Sequence, residues 1–94
     1  GRNMPSGPER PRPSRRFLEK DLGEEYLFLR PEGDRFHVLN GSAREIYLLC
    51  DGSRTVEEIA AEILARYRVD ERTAARDVEE ALRGLAEIGL VDRG

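Results

Sequence analysis

Two helix-start signals, at Ser42 and Thr55, constrain this chain more than any other feature. Ser42 is followed three residues later by Glu45, and Thr55 three residues later by Glu58. In such a pair the hydroxyl accepts the amide three residues on, while the carboxylate returns to the capping residue's own amide. Donors that the first helical turn leaves orphaned are thereby satisfied. Gly52 stands between the two signals, where a left-handed residue closes a helix. The spacing therefore predicts a first helix from about Ala43 through Ile46, Tyr47, Leu49 and Cys50, stopping at Gly52. In the second, Val56, Ile59, Ala60, Ile63, Leu64 and Tyr67 recur at spacings of three and four and form one apolar face. A third helix is expected from near Asp70 or Thr73. It presents Ala74, Val78, Ala81, Leu82 and Leu85 inward and ends at Gly89, with Leu90 folding back onto Leu85. Gly84 sits inside that helix at a cost of about 1 kcal/mol relative to alanine. Either it admits another backbone closely or it is a tolerated defect.

Upstream the period changes. Tyr26 to Arg30 and Arg35 to Leu39 are aromatic and aliphatic runs separated by Pro31, Glu32, Gly33 and Asp34. They read as a hairpin, with Phe17 to Leu22 as a third strand. Tyr26, Leu27, Phe28 and Leu29 are apolar without alternation, which predicts that both faces of that strand are partly covered. The expected class is α+β: a small three-stranded antiparallel sheet followed by three helices over residues 17–94. A chain of 94 residues makes one domain. At that length less than about two-thirds of the unfolded surface is buried, which leaves a thin core.

Residues 1–16 differ in kind. Gly1 to Ser14 holds four of the five prolines and no aliphatic or aromatic side chain except Met4, too little apolar surface to offset the entropy of ordering. The expectation is a disordered basic tail. It carries five arginines against Glu9, a charge of +4. Of the chain's 16 basic and 19 acidic groups, 11 and 18 are left for the folded part, a charge of −7. Tail arginines of this kind either contact nucleic acid or an acidic partner, or only solubilise. An acidic folded part is the reverse of what duplex binding requires, because phosphate neutralisation supplies most of that affinity.

Residues suited to chemistry are few. One cysteine, Cys50, and one histidine, His37, stand on different elements. They furnish neither a disulfide, a zinc tetrahedron nor a nucleophile with its base. Cys50 in an apolar helix pattern reads as a small buried side chain. His37 reads as a surface or edge residue, with a ligand or proton shuttle as the alternative. Glu57, Glu58, Glu62, Glu79, Glu80 and Glu87 fall on outer helix faces, and Gly33, Gly41 and Gly52 are isolated rather than a phosphate cradle. These patterns point away from an enzyme and call for no cofactor or metal. No apolar run approaches the ~18 residues of a membrane span, and a cytoplasmic location is the default expectation. Arg72, Arg76 and Arg83 share one side of the third helix, as either a basic strip or a solvated, charge-balanced face.

The run from His37 to Tyr67 together with Asp77 to Val91 resembles the PqqD family. The carriers are Leu39-Asn40 before the first helix, Leu49-Cys50-Asp51-Gly52 at its end, Thr55 with Glu58-Ile59, and Asp77-Val78 with Leu82, Leu85 and Gly89-Leu90. Gly41-Ser42 departs from the acidic residue and threonine often found there. The resemblance implies a winged helix-turn-helix arrangement used as a recognition element for ribosomally made, modified peptides. Its partners would be the leader of a precursor peptide and a radical S-adenosylmethionine or other modifying enzyme, in the quinone cofactor route or another. By the same resemblance the leader adds as a strand along Arg35, Phe36, His37, Val38 and Leu39, over a groove closed by the third helix, Arg72 to Ala86. Within it Ala75, Glu79 and Leu82 are candidate contacts, and Arg76 and Arg83 would steer an acidic leader. The alternative is a winged-helix regulator reading DNA with that helix.

Overall fold

The computed structural model describes residues 9–33 and 35–93. In chain order these form β1 (Arg12–Pro13), β2 (Leu18–Asp21), β3 (Glu25–Leu29), β4 (Phe36–Asn40), α1 (Gly41–Leu49), α2 (Val56–Arg66), α3 (Glu71–Glu87) and β5 (Val91–Asp92). The expected α+β plan is present: β2, β3 and β4 form an antiparallel sheet in that order, and three helices follow.

Local chemistry explains each boundary. In the β2–β3 turn Gly23 has φ 97°. Leu22 N–H donates to Glu25 O at 2.7 Å. This is the two-residue hairpin that a leading glycine permits. Across the β3–β4 loop, Gly33 N–H donates to Arg30 O at 2.8 Å, with Pro31 presetting the second turn position; Asp34 lies outside the described residues. The Thr55–Glu58 capping box forms in both directions, at 2.8 and 3.1 Å. Asp70 caps α3 by accepting Thr73 N–H at 2.7 Å. At the other end of α3, Gly89 (φ 85°) donates to Ala86 O and Leu90 to Leu85 O. These are the paired bonds of a glycine-terminated helix, and Leu85 and Leu90 are both buried.

The Ser42–Glu45 box does not form. β4 runs directly into α1, with Asn40 as the extended N-cap and no side-chain cap. Gly41, left-handed at φ 55°, makes the turn from strand to helix ahead of Ser42, which lies inside the first turn, and the Glu45 carboxylate bonds Arg66 instead. Gly52 is left-handed as expected (φ 88°), yet the last turn of α1 is closed by Cys50 N–H to Tyr47 O. Gly52 N–H is free to reach out of the helix, and it donates to Pro11 O at 2.9 Å.

That bond corrects the reading of residues 9–16 as unstructured. Pro11 is fully buried, Arg12 and Pro13 pair antiparallel with Asp92 and Val91, and Ser14 donates through both its amide and its hydroxyl to Leu90 and Gly89 carbonyls. Arg93 joins the arm to α3, bonding Glu79 through two nitrogens (2.8 and 2.9 Å) and Glu9 through another. A segment without a core of its own is ordered by borrowing one: its backbone groups find partners on β5 and on the α1–α2 turn. Residues 1–8 of the expected tail lie outside the described residues.

The core lies between the sheet and the helices. Phe28, Ile46, Ile59, Val78 and Leu82 are 0–1% exposed. Phe28 stacks on Tyr26 (4.8 Å between centroids) and meets Tyr47 edge-on (4.9 Å), so the central strand is held to α1 by aromatic contacts. The helices occupy one side of the sheet only. Partial cover on both faces of β3 was expected; on the outer face Leu27 is partly buried, whereas Leu29 is exposed. The four-residue apolar run serves a core on one side and solvent on the other.

Candidate functional site

A three-stranded sheet has two edges, and here they differ in what they offer. Arg30 N–H donates to Arg35 O, so Arg30 and Arg35 form a hydrogen-bonded pair beyond the strands. Antiparallel pairs alternate between bonded and non-bonded. His37 with Phe28 and Leu39 with Tyr26 are therefore bonded, whereas Phe36 opposite Leu29 and Val38 opposite Leu27 are not. The N–H and C=O groups of Phe36 and Val38 point out of the sheet along the free edge of β4. Their side chains, 64% and 43% exposed, lie on the outer face.

On β2 the same alternation, counted from the Leu22–Glu25 bond, turns the backbone groups of Glu19 and Asp21 outward. Both carry carboxylates held in place. Asp21 accepts three bonds from the Arg44 guanidinium (2.8, 2.9 and 3.3 Å) and one from Gly23 N–H, which hold its pKa below the ordinary 3.8. Tyr26 Oη donates to Glu19 at 3.0 Å, and burial, with Glu19 second, raises the tyrosine pKa. A charged, short edge resists a foreign strand, whereas an apolar edge with unpaired donors and acceptors accepts one. By that criterion β4 is the barer of the two edges.

The predicted strand residues fall on both sides of this edge. Arg35, Phe36 and Val38 are exposed; Leu39 is 8% exposed and belongs to the core. His37 is half-buried on the inner face, its ring edge-on to Phe17 at 5.8 Å between centroids. The end of α3 approaches the same place, because Phe17 Cε1 lies 3.9 Å from where a Cβ at Gly89 would stand.

By helical periodicity the predicted α3 residues span about a third of the helix circumference, from its buried to its exposed side. Leu82 is fully buried. Ala75 and Glu79 line a cleft of about 510 Å³ against α2, floored by Ala60, Ala61 and Ala74, and Glu79 is engaged by Arg93, which lowers its carboxyl pKa. Arg72, Arg76 and Arg83 point outward, exposed, with Arg76 4.0 Å from Asp77. Helical periodicity puts Asp77, Ala81, Gly84 and Ile88 on the flank opposite Ala75. Ala81 and Ile88 pack against the core, and Ile88 shares a recess with Phe17 and Arg30. Around Gly84 no atom outside its own helix comes within 4 Å of a Cβ position. Sequence reasoning noticed Gly84 as an irregularity but did not connect it with a site, since only the helix's seating shows which flank it occupies.

The Cys50 thiol is 1% exposed and sits 3.1 Å from Ile46 O, and burial raises its pKa to about 12. That suits a packed side chain rather than a nucleophile. Among the described residues no cluster of three or more His, Cys, Asp or Glu is placed to hold a metal ion, and no helix is long and apolar enough to cross a membrane.

The fold has counterparts among known proteins. The chain is similar to the solved structure of TbiB1 in complex with the TbiA(beta) leader peptide, at 27% identity and a TM-score of 0.75, covering 86% of this chain and 94% of that one. It is also similar to the heterocyclase TruD (21% identity, TM-score 0.62, 89% of this chain and 11% of that chain). A heterocyclase in complex with substrate and cofactor gives 20% identity, a TM-score of 0.60, and cover of 94% and 11%. At those identities the heterocyclases share the fold alone. No curated protein sequence matches the chain. The model of the family described as coenzyme PQQ synthesis protein D (PqqD) matches residues 25–91, well over half the chain, and the chain belongs to the PqqD family.

Proposed function

We propose that this protein is a non-catalytic carrier that binds the leader of a ribosomally made precursor peptide as an added strand on β4 and presents it to a modifying enzyme. The observation that carries the reading is the edge itself: outward-facing backbone groups at Phe36 and Val38, each with an exposed apolar side chain. Strand addition draws affinity from main-chain bonds and selectivity from side-chain pockets, so it needs no reactive residue. The relative TbiB1, which was solved with a leader peptide, supports the same use of the fold. On the helical side, the flank of α3 bearing Ala81, Gly84 and Ile88 is the wall, and the open space at Gly84 lets a peptide backbone pass close to the helix. Arg72, Arg76 and Arg83 lie outside the groove and act only by steering an acidic leader toward it. The modifying enzyme is a radical S-adenosylmethionine protein or another tailoring enzyme of such peptides.

The test is amide exchange in an isotope-labelled chain titrated with synthetic leaders of precursors encoded beside it. Binding should slow exchange at Phe36 and Val38, while His37 and Leu39 are slow with and without peptide. A spectrum unmoved by every such leader removes the reading. Salt separates it from DNA recognition, whose affinity falls steeply with ionic strength through counterion release.

A further inference from the structure

The peptide-binding reading draws on the β4 edge and leaves the outer face over β2 and β3 without a role. Leu18, Leu29 and Phe36 form one row across the three strands, and Lys20, Leu27 and Val38 the next. Leu22 and Glu25 continue the alternation on β2 and β3. Leu18 is 61% exposed, Leu22 53% and Phe36 64%. Together the apolar side chains expose on the order of 500 Å², within the range of the largest patch on a typical monomer, which is often functional.

The charges on this face narrow the occupant. Lys20 lies one strand from Leu27, about 5 Å, and Glu25 lies two residues along β3 from Leu27, about 7 Å. Both are exposed, and neither has an ion-pair partner among the described residues. Relative to Leu27 they therefore stand at nearly equal distances in perpendicular directions. A two-fold axis lying in the plane between two such faces, diagonal to the strands and passing over Leu27, brings Lys20 of each copy onto Glu25 of the other. The same operation sets Leu27, Phe36 and Leu22 against their own copies and Leu29 against Val38. Strands then cross at near right angles, one of the two ways in which sheets stack. Axes along or across the strands would instead set Glu25 against Glu25 or Lys20 against Lys20.

We propose that this face is a self-complementary interface and that the protein forms a two-fold dimer by orthogonal stacking of its sheets, locked by reciprocal Lys20–Glu25 pairs. Two copies bury about 1,000 Å² in all, the lower bound of a specific interface, so the dimer is weak and concentration-dependent. The backbone edge of β4 lies in the sheet plane and stays open, so a peptide strand and a second copy occupy the molecule together. The inference does not rest on the peptide-binding reading, and either can fail alone.

Sedimentation velocity over a wide concentration range tests it with the intact chain. The wild type should dimerise reversibly at high micromolar concentration. Lys20→Glu and Glu25→Lys, both at exposed positions, should each weaken self-association at least tenfold. An equimolar mixture of the two variants should associate at least as tightly as wild type, because every cross-copy pair is then opposite in sign. A chain that stays monomeric throughout overturns the proposal and leaves the face to a different protein. So does a dimer indifferent to both substitutions.

Discussion

Leu27 and Val38 face each other across β3 and β4 as a non-bonded pair, which leaves the Val38 amide pointing away from the sheet. Proline at an edge position whose N–H faces solvent is tolerated by a strand. Val38→Pro should therefore fold, with a melting temperature within a few degrees of wild type. It removes one donor from the proposed peptide ladder, worth about 1–1.5 kcal/mol, so leader affinity should fall about tenfold by calorimetry. Unchanged affinity would place the peptide elsewhere.

Leu82 and Arg83 are neighbours in sequence with opposite fates. The Leu82 side chain is fully buried, whereas that of Arg83 is exposed. Leu82→Ala should cost about 2–5 kcal/mol in denaturant unfolding, a large share of a small domain's stability. Arg83→Ala should stay within about 0.5 kcal/mol of wild type. If Arg83 steers an acidic leader, stopped-flow binding should show slower association at low salt and little change at high salt.

Gly89 holds φ at 85° while its amide and that of Leu90 close α3. A Cβ there would meet only Phe17, at an ordinary contact distance, so the cost of Gly89→Ala lies in the backbone. It should be about 1–2 kcal/mol, a melting-temperature loss of roughly 4–16 °C in a domain this size. Gly84→Ala, in a helical conformation with open space, should instead raise stability slightly and, if Gly84 lines the groove, weaken leader binding.

The Arg93–Glu79 pair makes arm docking pH-dependent. Bonding to Arg93 lowers the Glu79 pKa from its ordinary 4.5, so the folded state favours the carboxylate. Its contribution is complete above about pH 4.5 and is lost as pH falls through the lower folded value. Both side chains are partly exposed. Screening by solvent therefore keeps the contribution below about 1 kcal/mol. Glu79→Gln should be slightly less stable than wild type at pH 7, with the difference in melting temperature closing at acidic pH once Glu79 is protonated.

Much of this protein was legible in its linear order. Helix positions, the Thr55–Glu58 cap, the Gly89 stop and the inward residues of α2 and α3 follow from hydrogen-bond geometry over three or four residues and from the helical period, both local properties of the chain. The β3–β4 hairpin followed for the same reason. What local chemistry did not determine was partnership. Ser42 and Glu45 have the spacing of a cap, but β4 passes into α1 without a loop and Arg66 claims the carboxylate. Pro11 to Ser14 have the composition of a tail, but Gly52 and β5, far along the chain, supply the bonds that order them. Which edge of the sheet is bare, which flank of α3 bears Gly84, and which apolar face of β3 meets water all depend on how elements distant in sequence are seated on one another. Seating is a sum of many weak long-range contacts, and it was decided only in the folded molecule.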